Sequence, residues 1–406
     1  MVKHVLLLVL AAVSLHARQI DVRPGQLREA LLRVAPNDSI VLHAGIYQDR
    51  ELAITKPITI IGRKGAVVDA GHTGGDVFTV RSDWVVIDGI HIKNVKVSYV
   101  QDNAAVKILK SKHVTVKNCT ITNAFFAIYL QRSERCRIEG NTIAGTLRSE
   151  SNSGNGIHSW YGREILIKGN TIASHRDGVY LEFSKQITVE ENTCRRNMRY
   201  GLHFMFSDSC SYRRNTFTQS GAGVAVMYSS FVEMTDNEFR DNWGASTYGL
   251  LLKDIRDAHI RGNRFAHNAI GVYAEAASRI LFERNQFEAN GYAMKMLANS
   301  ENNTVVNNTF IDNSFEVTTN SKDSYNHFDR NYWGSYEGYD LDRDGFGDVP
   351  HHPVRLYSLL VEQMPSSVIL MNSVFVNILD LTERVVPTLT PEALVDLHPR
   401  IKPLTQ

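Results

Sequence analysis

The chain has 406 residues, 43% of them apolar and 21% charged, enough to bury a large core in one or several domains. Lys plus Arg (44) and Asp plus Glu (43) nearly cancel, so no global field draws the protein to nucleic acid or to an anionic membrane face. Its four cysteines lack paired or Cys-x-x-Cys spacing, which argues against a disulfide scaffold and for buried thiols.

At the N-terminus, Lys3 and His4 precede an apolar run from Val5 to Val13, and Ser14-Leu-His-Ala17 follows with a small residue at a plausible cleavage point. This anatomy predicts a secretory signal peptide over residues 1–17 and export from the cytoplasm. The run is too short to span a bilayer, and no later stretch reaches the roughly 20 apolar residues a spanning helix needs. Next comes Pro24 to Leu32, expected as a short amphipathic helix that caps the open apolar end of a repeat domain.

From there the sequence repeats. An Asn with an apolar residue two places on recurs at Asn141, Asn170, Asn192, Asn215, Asn237, Asn263, Asn285 and Asn308. The period of about 22 residues is one coil of a right-handed parallel β-helix, which makes the fold all-β over residues 18–350. In stacked coils each position forms a ladder, so the Asn side chains are expected to bond amide to amide. The apolar column Ile172, Cys194, Phe217, Phe239, Phe265, Phe287 and Phe310 should form an interior stack. A Gly column (Gly156, Gly178, Gly201, Gly223, Gly249, Gly271) marks a place where a Cβ would obstruct a bend.

Strand alternation converts this register into a surface map. Residues one and three places after each Gly face inward and are apolar except Ser159. Those two and four places after it face outward, which puts His158, Tyr180 and His203 in one outer row and Trp160, Glu182, Met205, Met227, Lys253 and Glu275 in another. Met234, Met294 and Met296 fall at inward positions and need no function. Met205 and Met227, by contrast, are vertical neighbours outside, with His203 on the same strand as Met205. Thioether and neutral imidazole suit Cu(I), so His203, Met205 and Met227 are the candidate ligands, with His158 and Glu182 second.

Toward the C-terminus, Asp340, Asp342, Asp344, Gly345 and Asp348 match the front of a calcium-binding EF-hand loop, but the twelfth place is His351 and not Glu. The alternatives are a bound Ca²⁺ or an Asx-rich turn. The period then changes. Ser366 and Ser367 offer a helix start, and Val368, Met371, Phe375, Ile378 and Leu379 recur at helical spacing. Residues 351–406 are therefore expected to be a tail of amphipathic helices that docks on a partner.

The segments Asp177–Ser184, Tyr200–Ser207 and Ala222–Ser229, together with Gly154–Trp160, Asn331-Tyr-Trp333 and Tyr339–Pro350, closely resemble the NosD family of periplasmic copper-maturation proteins. The resemblance implies a protein that is not an enzyme. Such a protein would be peripheral on the inner membrane, standing on the permease and ATPase subunits of an ABC transporter. There it would take Cu(I) from a membrane-anchored copper chaperone and pass it to apo nitrous oxide reductase. Carried onto this chain, it makes His203, Met205 and Met227 ligands in transit. Two rival classes share the fold: extracellular polysaccharide lyases, hydrolases or epimerases, and structural adhesins. An enzyme needs convergent carboxylates or an Asp/Arg/Lys cluster, which the outward columns do not offer.

Overall fold

The computed structural model describes residues 17–404 except 99, 147–148, 245–246, 322–324, 372 and 386–393. The expected signal peptide lies, apart from Ala17, outside the described residues. Each coil lays down three strands. Strands of successive coils pair in parallel into sheets of 14, 12 and 13 strands among the described residues, a right-handed solenoid of about 13 turns. The helix α1 (Leu27–Arg33) sits at the start with Leu27 and Ala30 buried, the position a cap requires.

The Asn ladder explains why the coils stay in register. Each Asn Oδ1 accepts from both the backbone N–H and the Nδ2 of the Asn one coil below, as in Asn215 to Asn237 at 3.0 and 2.9 Å. Each Nδ2 also reaches a backbone carbonyl farther down, as Asn237 does to Tyr212 at 2.9 Å. Eight consecutive rungs are thus buried with their polar groups satisfied, from Asn141 to Asn308. Beside the ladder run the rings of Phe239, Phe265, Phe287 and Phe310, stacked at 4.6 to 4.8 Å. The Gly column serves close approach: a Cβ on Gly201 would stand 2.6 Å from the carbonyl oxygen of Gly223 above it. Met234, Met294 and Met296 are in the core, and the four cysteines are free and buried, as the register requires. Burial pushes the Cys194 and Cys210 thiols up to about 12, so neither offers a thiolate.

A second, shorter ladder begins at His175, whose backbone N–H is held by Asn197 Oδ1 at 3.1 Å. Burial pushes the His175 imidazole down from 6.5 to about 4. The unfolded chain therefore binds a proton through a window in which the folded chain does not, and stability falls as pH drops from 6.5 toward 4, by about 3 kcal/mol at most. Denaturant titrations across that window should show the slope in the natural chain and a flatter line in His175→Asn, which places the ladder's usual residue at that rung.

The far end is closed by the chain's own end. Asp396 forms parallel and antiparallel bridges to Phe328 and His351, Arg400 pairs with Tyr332, and Leu394 and Val354 join the core. The last described residues therefore extend the solenoid instead of belonging to a helical tail. Between them lie α2 (Leu356–Gln363), a 3-10 turn (Pro365–Leu370) and α3 (Val374–Val385). The single helix expected from Ser366 is broken there: Ser367 Oγ donates back to the Met364 carbonyl and its own carbonyl takes the Tyr357 hydroxyl, which locks the tight turn. Val376 is buried with Phe315, Tyr357 and Val361, while Ile369 (85% exposed), Val374 (74%) and Leu381 (62%) form an uncovered apolar surface.

Candidate functional site

The site is built on the outer face of the 12-stranded sheet, on the strands Ile157–Trp160, Asp177–Glu182, Tyr200–Met205 and Ala222–Met227. Parallel pairing sets three rows on this face. One runs Tyr129, His158, Tyr180, His203, and a second Gln131, Trp160, Glu182, Met205, Met227, Lys253. The third carries Asp177 under Tyr200 at the strand starts. Met205 and Met227 are direct cross-strand partners, and Glu182 lies directly below Met205.

The facing is as expected, but the expected exposure of the histidines is not. His158 and His203 are 7% and 4% exposed. The cause is stacking: coil spacing brings Tyr129, His158, Tyr180 and His203 ring over ring at 4.7, 4.7 and 4.6 Å, so each ring covers the next. Met205 and Met227 are half-buried at the edge of this stack. In the long step between Asn141 and Asn170, Glu150 accepts a hydrogen bond from Arg199 at 3.3 Å.

Beside the stack is a concentration of buried polar atoms without hydrogen bonds. Both nitrogens of His158 and of His203, both amide atoms of Asn155, both carboxylate oxygens of Asp177 and Arg176 Nε are buried and unbonded. Buried polar groups are almost always paired, and these face one another at or just beyond hydrogen-bond distance. His203 Nδ1 stands 3.6 Å from Asp177 Oδ2, and His158 Nε2 stands 3.5 Å from Glu182 Oε2. The nearby His158 imidazole holds the Glu182 carboxyl below its usual range, against the effect of burial. Asp177 also has Arg199 Nε at 3.5 Å and Arg176 Nε at 4.0 Å. Sequence reading missed Asp177, Asn155 and Arg199. The signal was present for Asp177: it is a carboxylate in a column that continues with Tyr200, Ala222, Tyr248 and Ile270.

Next to the methionine row runs an exposed ladder of Tyr161, Phe183, Phe206 and Tyr228, stacked at 4.9, 5.2 and 5.0 Å. All four have φ near +50°, a region that bulky residues avoid. Folding gives no reason to put aromatic rings there.

The acidic loop behaves differently. Ligand oxygens of Asp340, Asp342 and Asp344 lie within 4.8 Å of one another, the one trio of imidazole, thiol or carboxylate ligands among the described residues. Those carboxylates already accept backbone N–H groups of Arg343, Gly345, Asp344 and Phe346, and Asp348 accepts from Leu341. The twelfth place points away, with His351 Nε2 3.1 Å from Glu316 Oε2. The calcium expectation thus gains no closing ligand from the twelfth place, and the backbone bonds to these carboxylates are those of an Asx-rich turn.

Residues 143–338 match a family model described as "Periplasmic copper-binding protein (NosD)", and residues 26–209 match one described as a protein of unknown function, DUF1565. A Pseudomonas aeruginosa protein named "Probable ABC transporter binding protein NosD" is 27% identical over 98% of this chain and 94% of its own length. Its namesake in Stutzerimonas stutzeri is 26% identical over 89% of this chain and 86% of that protein. Among solved structures, the family 28 exopolygalacturonase of Yersinia enterocolitica superposes with a TM-score of 0.63 at 9% identity, covering 77% of this chain and 78% of that one. PfbA, a surface adhesin of Streptococcus pneumoniae, gives 0.53 at 11% identity over 80% and 91%. Those two likenesses show the fold alone. The sequence matches carry more: they fall on the coils that bear the histidine, tyrosine and methionine rows, and by them the chain is similar to the NosD proteins along nearly its whole length.

Proposed function

We propose that this protein is a periplasmic copper carrier that binds Cu(I) through His203, Met205 and Met227 and passes it on without covalent chemistry. The observation that carries the reading is the register pair Met205 and Met227, two thioethers on the outer wall beside a buried imidazole whose Nε2 makes no hydrogen bond. Thioether sulfur and neutral imidazole are soft or borderline donors and select Cu(I) over hard ions. His158 and Glu182, one to two coils below, form a second station. Half-buried, under-coordinated ligands hold an ion without caging it, which a transfer site needs. In equilibrium competition with a chromophoric Cu(I) chelator, the protein should retain about one Cu(I) per chain; failure to compete would refute the reading.

Transfer runs from a membrane-anchored copper chaperone to apo nitrous oxide reductase, with the protein held through the apolar surface of Ile369, Val374 and Leu381 on the permease of an ABC transporter, whose ATPase subunits complete the complex. The relatives' names support a transporter partner, and no helix among the described residues is long and apolar enough to cross a membrane itself. A protein that exchanges the ion directly must land on the residues flanking Met205 and Met227, and the aromatic ladder is that flank. Phe183→Asn with Phe206→Asn should slow copper transfer at least tenfold while leaving the melting temperature unchanged or raised, since Asn tolerates positive φ better than Phe. An unchanged transfer rate in stopped-flow measurements would show that the ladder plays no part in exchange.

One observation favours a second reading. Asp177, Arg199, His203 and Tyr200 converge, which is the kind of cluster that a uronan lyase or epimerase would use. Turnover of polygalacturonate or alginate above background would establish that reading, and its absence would leave the carrier alone.

A further inference from the structure

Asp177 is 0% exposed and neither of its oxygens has a hydrogen-bond donor. A carboxylate placed so is costly to bury, and the column it occupies is otherwise aromatic or aliphatic for the next four coils. Arg199 and Arg176 balance its charge from one side at 3.5 and 4.0 Å. On another side its Oδ2 faces Nδ1 of His203 at 3.6 Å. That separation is longer than a hydrogen bond, so the two groups are juxtaposed but not yet closed. The ring itself has little freedom. It is stacked on Tyr180 at 4.6 Å and 12° and flanked by Tyr200 at 4.8 Å.

We infer that Asp177 is a positioning residue for His203: its carboxylate fixes the imidazole proton on Nδ1, so that the Nε2 lone pair is the one offered to the ion. The inference rests on the carrier reading, in which His203 is a copper ligand. A neutral imidazole carries one proton, and the nitrogen nearer a buried negative charge keeps it. The other nitrogen is then an acceptor without a partner, and His203 Nε2 is buried and unbonded. When an ion draws electron density from Nε2, the Nδ1–H becomes a stronger donor and the 3.6 Å gap shortens toward a charge-assisted hydrogen bond. A fixed tautomer removes the cost of moving the proton before each ion binds. The two arginines prevent the carboxylate from becoming a competing hard ligand, which keeps the site selective for a soft ion.

The test uses the full-length exported chain with ¹⁵N-labelled histidine. Long-range ¹⁵N–¹H correlation spectra, with His203 assigned by its loss in His203→Gln, should show a pyrrole-type Nδ1 and a pyridine-type Nε2 in the ion-free natural protein. The reverse tautomer there overturns the inference without recourse to any variant at Asp177. Asp177→Asn keeps the shape but drops the charge, and should mix the tautomers and weaken Cu(I) binding by about 10- to 100-fold in chelator competition. An unchanged tautomer and affinity in a folded Asp177→Asn protein also overturns it. Failure of the carrier reading is separate: copper binding that survives loss of Met205 and Met227 removes that reading, whatever the tautomer of His203.

Discussion

Asp396→Leu should unfold the last coils of the solenoid while leaving the first half intact. The carboxylate of Asp396 is fully buried and ends the Asn ladder, accepting from the backbone N–H groups of Arg330, Asn331 and His398, from Asn331 Nδ2 and from Trp333 Nε1 at 2.9 to 3.2 Å. Leu at this place leaves those donors buried without acceptors, each at a cost of about 1 to 3 kcal/mol, so a loss of at least about 4 kcal/mol is expected for the terminal coils. In a linear array each coil touches only its neighbours, so the damage stays local. Hydrogen exchange should speed up over residues 304–333 and stay slow over 104–160. Asp396→Asn should recover part of the loss, since one amide oxygen can still take Asn331. An even loss of protection along the whole chain would show that the ladder's end does not close the solenoid.

Removing the two outer sulfurs should cost binding and nothing else. Met205→Ala with Met227→Ala is expected to weaken Cu(I) binding by roughly 1,000-fold or more, about 4 kcal/mol, because two of three soft donors are lost and Glu182 below and Lys253 above are no substitutes for a soft ion. Both side chains lie on the outer face, half-buried and apart from the core, so the melting temperature should move by only a few degrees. Met234→Leu is the control, for Met234 is fully buried and should matter to packing alone. Equal copper affinity in the double variant and the natural chain would show that the ion sits elsewhere.

The architecture was legible because the repeat writes each structural role in a column. Asn141 to Asn308, the Phe stack and the inward methionines follow from period and alternation, and the structure places them so. Alternation also gave the outward direction of His203, Met205 and Met227. It could not give burial: direction is a property of one strand, whereas the covering of His203 comes from the Tyr180 ring one coil away and from Tyr200 at the start of its own strand. Asp177 escaped notice for a related reason. It sits before the Gly column, at a position whose inward or outward sense depends on the corner geometry and not on period two. The C-terminal closure was out of reach because Asp396 takes up the ladder 65 residues after Asn331, with no repeat between them to signal the return. The helix α2 comes too soon after Pro353 and is too brief for its spacing to stand out.

X-ray absorption at the copper K-edge of protein loaded with one equivalent of Cu(I) would read the ion's neighbours themselves. Capture by His203, Met205 and Met227 requires an edge of monovalent copper with two sulfur neighbours and one imidazole nitrogen, and loss of the sulfur shell in Met205→Ala with Met227→Ala. A first shell of nitrogen and oxygen alone in the natural protein would rule that capture out.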